Sequence, residues 1–237
     1  MTRIVALVVS LASLARGLVQ PSRRVRTVVP HLEAFGLPKF ENPFDDRPGC
    51  TVGKLQVAVA NEDMVATKVV AEAAERFERD RSRRALPDFV SNVCTALCRQ
   101  SDRWLYASAT SERFSPGAVD DDDHDLAYNR LVEFEASKFE VERTPSTSEL
   151  ETTSDGVRGM CVVSVVVCLE GDLTQVFDGA ALSEGSMRDA LRDISAASLV
   201  RGGDALYNGE VLWTPSSADE SLFKDDMLLD FPELMAL

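Results

Sequence analysis

The sequence Met-Cys-Val-Val-Ser-Val-Val-Val-Cys-Leu at residues 160–169 is the stretch that decides the fold. It holds five valines in the eight positions 162–169, and Gly159 and Gly171 bracket it. Branched side chains pack well on a pleated surface, so this stretch favours a β-strand. A strand without polar alternation is covered on both faces. Residues 160–169 are therefore predicted to lie at the centre of a sheet.

Periodicity in the rest of the chain predicts three more strands and five helices. Strands alternate apolar and polar residues, whereas amphipathic helices repeat apolar residues every three to four positions. The order β-α-α-β-α-β-α-β-α suits an α+β fold: a single four-stranded sheet, mixed or antiparallel, with helices mainly on one face. The other predicted strands are 52–60, 103–108 and 208–214, and the predicted helices are 64–84, 87–98, 126–141, 187–199 and 223–231.

The same periodicities predict which side chains share a face. In strand 52–60, apolar positions alternate with Lys54 and Gln56, so this strand has one wetter face near its start. Asn61 or Asp63 is expected to cap helix 64–84, and Ser186 is expected to cap helix 187–199. Trp104 and Tyr106 are expected on one face of strand 103–108. In strand 208–214, Val211 and Trp213 are expected on one face and Leu212 on the other. The expected inner positions of helix 126–141 are Leu131, Phe134, Ser137 and Phe139.

The chain holds five cysteines in irregular spacing, which does not indicate a disulfide framework and favours a reducing compartment. Cys94 and Cys98 lie one helical turn apart, so they could share a metal ion. No second pair at ligand spacing accompanies them, which makes buried core residues the stronger interpretation. No metal site is therefore predicted, and a redox or metal sensor built on Cys94 and Cys98 stays an alternative.

An acidic run at residues 120–125, which includes His124, resembles a cation-binding loop at first sight. Calcium loops place ligands at alternate positions around a central glycine and end in glutamate, and this run does neither. Carboxylates are favourable at the positive end of a helix dipole. The run is therefore predicted to be the solvated start of helix 126–141, with His124 on the surface.

Charge and motifs narrow the function classes. The net charge of −14 repels phosphate backbones, so nucleic acid is not an expected partner. The chain lacks Gly-x-Ser-x-Gly, Gly-x-x-x-x-Gly-Lys-Ser/Thr and Gly-x-Gly-x-x-Gly, so no catalytic or cofactor-binding residue is predicted. The alternative from another class is an enzyme with an unrecognised site, using Arg103, Glu133 or Glu210 near the edge of the sheet.

Composition divides the chain into residues 1–32, 33–50 and 51–237. The first segment combines Arg3 and an apolar stretch over 4–14 with a part rich in arginine and free of acidic residues. A signal followed by a transit-like segment is typical of the two-part leader of proteins that are imported into plastids acquired by secondary endosymbiosis. The alternative is a signal peptide for simple secretion. Residues 33–50 are predicted to be a linker, and residues 51–237 a single α+β domain.

Residues 143–158 are polar, rich in hydroxyls and without periodicity. They are predicted to form a loop. This loop is either a phosphorylation site around Thr144 or only a linker.

Four parts of the chain resemble one family, the domain-of-unknown-function family of cyanobacteria, algae and plants that includes the plant fluctuating-light acclimation protein. The resemblance covers about residues 51–235, and its C-terminal part is the most specific. The matching stretches are 52–59 (VGKLQVAV), 97–107 (LCRQSDRWLYA), 128–139 (YNRLVEFEASKF), and 209–215 (GEVLWTP) with 226–234 (DMLLDFPEL).

The resemblance implies a plastid protein without known catalytic activity, tied to thylakoids and to the adjustment of photosynthesis and energy dissipation under changing light. Family members commonly carry a glycine-rich hydrophobic segment, whereas this sequence has 13 glycines and no run of 18 apolar residues. A soluble or peripherally attached member is therefore expected. The leading hypothesis is a non-catalytic regulator that binds a thylakoid or photosynthetic protein partner, with its oligomeric state open.

Overall fold

The computed structural model describes residues 48–80, 82, 84–120, 122–139, 159–216 and 222–237. The expected leader, the linker up to residue 47 and the loop 143–158 lie outside these residues, so the predictions made for them stay predictions. In the described part of the chain, no helix has both the length and the apolarity needed to cross a bilayer.

Within the described residues, one antiparallel sheet has five strands in the order β4-β3-β1-β2-β5. The antiparallel pairing decides between the mixed and antiparallel alternatives. Strand β1 lies at the centre of the sheet, and β3, which the sequence predicts to be central, lies beside it between β4 and β1. Both strands bury nearly every side chain, as the valine-rich sequence predicts for β3. The strands are β1 (Cys50–Ala60), β2 (Trp104–Phe114), β3 (Met160–Glu170), β4 (Leu206–Thr214) and β5 (Met235–Ala236).

The prediction of four strands is wrong because it misses β5. Met235 pairs with Ala107 and Ala236 with Tyr106, which extends the sheet beyond β2. Two residues are too few to show a period of two, so only the main-chain pairing reveals this strand. The segment after Pro232 therefore returns to the sheet edge.

The helices cover both faces of the sheet. On the first face, the side of β1 that carries Leu55, Val57 and Val59, lie α1 (Val65–Arg79), α2 (Ala85–Cys98), α5 (Thr174–Phe177) and α6 (Glu184–Ser198). The second face, the side that carries Val52, Lys54, Gln56 and Ala58, is covered by α4 (Asp123–Phe139) and α7 (Lys224–Asp230), and α3 (Pro116–Asp120) precedes α4. Helices thus lie mainly on the first face in the described chain, but α4 and α7 keep the second face from water.

The first face holds the larger apolar core. The predicted stripe of α2 packs there against the valines of the central strands, and Val90, Val93 and Cys94 are fully buried. Each fully buried valine or leucine contributes about 1.5–3 kcal/mol relative to exposure. Apolar burial on the first face therefore stabilises the sheet, which offsets the free energy that burying polar groups on the second face costs.

A β-bulge in β2 separates Trp104 from Tyr106. Ala58 pairs with Tyr106 and the next residue, Val59, pairs with Trp104, which leaves Leu105 as the extra residue. Trp104 consequently packs in the first-face core, and Tyr106 packs beside Ala58 on the second face. The prediction that the two aromatic residues share a face is wrong because it assumes a ladder without a bulge.

The segment 172–185, which lies between the predicted strand 160–169 and the predicted helix 187–199, contains α5 and a short 3-10 turn at Ala180–Leu182. Phe177 at the end of α5 is buried against β1. A Cβ atom on Gly53 would lie 2.3 Å from the Phe177 ring, so this position needs the smallest residue. The aromatic ring therefore fills space that β1 leaves open.

Side chains cap two of the long helices. The residue at the N-cap position of α1 is Met64, but Asn61 Oδ1 accepts hydrogen bonds from the backbone N–H groups of Ala66 (3.1 Å) and Thr67 (3.4 Å). The Asn61 side chain therefore caps the first turn, as predicted, from outside the N-cap position. For α6, Ser183 Oγ accepts a hydrogen bond from the backbone N–H of Ser186 at 3.1 Å. The cap is thus Ser183, and the predicted Ser186 is its donor.

Candidate functional site

The second face of the sheet carries a band of polar side chains. Strand register places Gln56 opposite Ser164, and Lys54 in one row with Val166 and Glu210 across β1, β3 and β4. The predicted wetter face of β1 is this face, yet Lys54 and Gln56 are only 3% and 0% exposed. Helix α4 covers them, so their polar atoms need partners inside the protein.

The buried side of α4 is polar as well. His124, Tyr128 and Glu135 recur at helical spacing and are buried, whereas Phe134 is 61% exposed. The prediction that Phe134 and Ser137 are inner positions is wrong because apolar periodicity assumes an apolar buried stripe. Leu131 is half-buried and packs beside Tyr128, and the side chain of Phe139 lies outside the described residues.

Four charged residues, Lys54, Glu135, Lys138 and Glu233, form a cluster that we call the ionic cluster. Lys54 Nζ lies 2.7 Å from Glu135 Oε1 and 3.0 Å from Glu233 Oε1. Lys138 Nζ lies 2.8 Å from Glu135 Oε1 and also bonds Glu233 Oε1. Each lysine therefore contacts both carboxylates, and the two positive charges balance the two negative charges.

Two neutral side chains complete the surroundings of Glu135. Gln56 Nε2 donates to Glu135 Oε2 at 3.0 Å and to Ser164 Oγ at 2.7 Å, and Ser164 Oγ donates to the same carboxylate oxygen at 3.3 Å. Gln56 Oε1 has no partner in the described chain. The carboxylate of Glu135 is thus held from all sides although it is 0% exposed.

The pKa of Glu233 shows how the ionic cluster offsets burial. Burial disfavours the charged carboxylate, but hydrogen bonds from Lys138 and Lys54 outweigh it, so the pKa of Glu233 lies below its ordinary value. The cluster therefore holds the carboxylate of Glu233 ionised at neutral pH. Its chemistry is that of a closed ion-pair network rather than of an acid or base poised for proton transfer.

Glu210, on β4, is the contrasting carboxyl group on the second face. It is 4% exposed, and burial raises its pKa to about 7. Its Oε1 has no hydrogen-bond partner among the described residues. Burial, with the nearby Glu210 as a smaller cause, also raises the pKa of Tyr128 above its ordinary value. A carboxyl group that titrates near neutral pH is a candidate for proton chemistry.

Cys50, His124 and Cys168 meet beneath the first turn of α4, and we call them the thiol–imidazole cluster. Their sulfur and ring-nitrogen atoms all lie within 4.8 Å of one another, and all three residues are buried. The prediction that His124 lies on the surface is wrong: only 7% of it is exposed. The three residues are far apart in sequence, so no local spacing indicates this cluster. The register of β1 with β3 brings the two cysteines together.

The cysteine pair that the sequence singles out does not join this cluster. Cys94 is fully buried in the first-face core, Cys98 is half-buried, and burial raises the pKa of both thiols. Cys98 borders a cavity of about 330 Å³ lined by Thr95, Cys98, Arg99, Arg192, Ser195 and Ala196. Among the described residues, the pair is not part of a group of three metal-ligating side chains. The thiolate that a sensor needs is therefore disfavoured at neutral pH.

The three residues of the enzyme alternative are not brought together. Arg103 precedes β2 and is half-buried, Glu133 is exposed on α4, and Glu210 is buried on β4. Strands β1 and β3 separate β2 from β4. Of the three, Glu210 alone lies in an environment that changes its chemistry.

Comparison with known proteins identifies the domain. The family described as "Protein of unknown function (DUF1517)" matches residues 49–237, which is most of the chain. The chain belongs to this family. The family resemblance carried by the Trp104 strand, the α4 segment and the C-terminal motifs is thereby confirmed.

A curated cyanobacterial protein is similar to part of this chain. This DUF1517 domain is 24% identical over 154 residues to "Protein FLAP1 homolog A" of the cyanobacterium Synechocystis sp.. The similarity covers 59% of the present chain and 43% of the relative, so the chain spans less than half of that protein's length. No solved structure matches this chain.

Proposed function

We propose that this protein is a non-catalytic plastid protein that regulates photosynthetic acclimation and energy dissipation by binding a protein partner at the thylakoid. The observation that carries the proposal is the family match over residues 49–237, joined to a relative named Protein FLAP1 homolog A. The resemblance to the family of the fluctuating-light acclimation protein supplies the physiological setting. Peripheral membrane attachment is compatible with the proposal.

The second face supports a binding role rather than catalysis. The ionic cluster directs its charges at one another beneath α4, and Lys54 and Glu135 are 3% and 0% exposed. Charges paired in this way contribute to structure and leave no carboxylate dyad for a substrate. A regulator needs a folded surface for its partner, which such a covered sheet can provide.

The leader predicted at residues 1–32 supports plastid targeting. The test is to express the tagged full chain in photosynthetic cells and to measure its distribution among cell fractions. The matched control carries the same tag without residues 1–32. We expect the full chain in the plastid fraction and the shortened chain outside it. Recovery of the full chain only in the secreted fraction would contradict plastid targeting.

The partner is tested by crosslinking in intact cells. Tagged chain is captured from illuminated and from dark-adapted cells, and the crosslinked proteins are identified by mass spectrometry. We expect a photosynthetic thylakoid protein whose recovery changes with light, and no such protein with the chain that lacks residues 1–32. Equal recovery of unrelated proteins from both chains would contradict a specific thylakoid partner.

The raised pKa of Glu210 favours one alternative, an enzyme with an unrecognised site. The test compares growth under fluctuating light of cells that lack the protein with that of cells given the unmodified chain or Glu210→Gln. Under this alternative, Glu210→Gln stays folded but loses any growth advantage that the unmodified chain gives. Under the binding proposal, the same variant keeps both the growth advantage and the crosslinked partner. Arg103 and Glu133 lie elsewhere in the fold, so they serve as control positions for this comparison.

A further inference from the structure

The thiol–imidazole cluster is built by three elements that the fold brings together. On the second face, Val52 pairs with Cys168, so Cys50 and Cys168 are diagonal neighbours across β1 and β3. The first turn of α4 adds His124 above them. The three ligating atoms lie within 4.8 Å of one another although water reaches none of the residues freely.

One nitrogen of His124 lacks a partner in this buried site. His124 Nδ1 is buried and has no hydrogen-bond partner within the described residues. The other ring nitrogen, Nε2, lies 3.6 Å from Asp125 Oδ1, and that oxygen accepts a hydrogen bond of 2.9 Å from Asn208 Nδ2. Histidines that bind metals usually direct their second nitrogen at a carboxylate, which is itself hydrogen-bonded. Asp125 is such a hydrogen-bonded carboxylate beside Nε2, at a distance of 3.6 Å that is longer than a hydrogen bond.

A disulfide fits this geometry less well. Diagonal partners across antiparallel strands have Cα atoms about 7–8 Å apart. A disulfide usually needs a Cα separation of about 4.4–6.8 Å. A tetrahedral zinc ion, with bonds of about 2.3 Å to sulfur and about 2.0 Å to nitrogen, places its ligand atoms roughly 3.5–3.8 Å apart. A small contraction of the observed cluster reaches these distances.

We propose that Cys50, Cys168 and His124 bind one Zn²⁺ ion, with Asp125 as the residue that orients the imidazole. Two sulfur ligands and one imidazole suit this ion, whereas calcium and magnesium prefer oxygen ligands. Each thiol that binds as thiolate releases its proton to solvent. The ion fastens the first turn of α4 to β1 and β3. This inference is independent of the proposed function, because it rests on the cluster alone.

The test uses the full chain, stripped of metal with a chelator and titrated with Co²⁺ as a spectroscopic substitute for Zn²⁺. We expect thiolate-to-cobalt absorption in the near ultraviolet and tetrahedral bands in the visible, saturating at one ion per chain and lost when Zn²⁺ is added. Cys50→Ser, Cys168→Ser and His124→Gln are expected to weaken binding more than 100-fold. Asp125→Asn is expected to weaken it about 10-fold, as for an orienting residue.

Cys98→Ser is the matched control, because Cys98 is a half-buried thiol outside the cluster. It should keep the spectrum and the affinity of the unmodified chain. Absence of tetrahedral bands, binding of several ions, or unchanged binding by His124→Gln would overturn the proposal.

A second measurement keeps the test decisive if the cysteine variants fail to fold. The unmodified chain is treated with iodoacetamide with and without Zn²⁺, and labelled cysteines are mapped by mass spectrometry. We expect Zn²⁺ to slow labelling of Cys50 and Cys168 at least 10-fold and to leave Cys98 unaffected. Equal labelling rates with and without Zn²⁺, or a Cys50–Cys168 disulfide in the freshly purified chain, would also overturn the proposal.

Discussion

The two halves of α4 bury polar side chains on the same face of one sheet, but they satisfy those side chains differently. The C-terminal half closes the ionic cluster, where each lysine contacts both carboxylates. The N-terminal half covers the thiol–imidazole cluster, where His124 Nδ1 has no partner among the described residues. Most buried polar atoms in proteins have partners, so an orphaned one requires an explanation. In the C-terminal half, the four charged groups are all paired, and the orphaned atom beside them, Gln56 Oε1, belongs to a neutral amide whose Nε2 is bonded twice. The orphaned atom of the N-terminal half is an imidazole nitrogen beside two thiols, which points to a ligand.

The largest expected effect on stability comes from removing one charge from the ionic cluster. Glu135→Ala leaves Lys54 and Lys138 without their buried partner, so we expect a loss of about 3–5 kcal/mol in the free energy of unfolding. Urea denaturation at pH 7 measures this loss. Glu133→Ala on the same helix is the matched control, because Glu133 is exposed and should change stability by less than about 0.5 kcal/mol. A loss below about 1 kcal/mol for Glu135→Ala would mean that the ionic cluster is not closed in solution.

The next largest effect concerns Glu210. Its pKa is raised to about 7 in the folded chain, so folding favours the protonated carboxyl group. Stability therefore falls as pH rises from about 4.3, the ordinary pKa of glutamate, to about 7, and stays lower above that. Over pH 5–8 we expect the group to remove about 2–3 kcal/mol, and Glu210→Gln to abolish this decrease.

Urea denaturation at pH 5 and pH 8 checks the Glu210 prediction. Glu133→Gln is the control, and it should keep the pH dependence of the unmodified chain. If Glu210→Gln also keeps that dependence, the carboxyl group is not buried unpaired, and the contrast with the ionic cluster is weaker than described.

A smaller effect is expected at the rim of the ionic cluster. Glu233 is 26% exposed, so Glu233→Gln should cost about 1 kcal/mol at pH 7. The folded pKa of Glu233 is lowered, so its contribution is present above the ordinary pKa of glutamate and is lost as pH falls through the folded pKa. The two chains should therefore converge in acid. A difference that stays constant from pH 7 to pH 3 would show that the charge of Glu233 is not what stabilises the fold.

The first face follows directly from local patterns in the sequence. The unbroken valine run of β3 predicts a strand covered on both faces, whereas the apolar positions of β1 and the stripe of α2 repeat with the period of their own element. The structure buries all of these apolar positions against the first-face core or the second face. The second face was harder to predict. Helix α4 buries Glu135 and exposes Phe134, the reverse of what an apolar stripe indicates. Its polar side is buried because the sheet beneath it is polar, and that pairing depends on tertiary structure.

The thiol–imidazole cluster could not be predicted for a related reason. Cys50 lies at the start of β1 and Cys168 near the end of β3. His124 lies in an acidic run, and such a run predicts a solvated surface. Their meeting depends on strand register and on where α4 begins. The bulge at Leu105 and the two-residue strand β5 show the same limit, since main-chain pairing decides both.

Urea unfolding of the full chain with and without Zn²⁺ tests the contrast between the two halves most directly. With free Zn²⁺ at about 100 times its dissociation constant, we predict that the free energy of unfolding rises by about 2.7 kcal/mol. Glu135→Ala should keep this increase on a lower baseline, because it alters only the ionic cluster, and His124→Gln should show an increase of less than about 0.4 kcal/mol. No increase in the unmodified chain, or an equal increase in His124→Gln, would contradict the account.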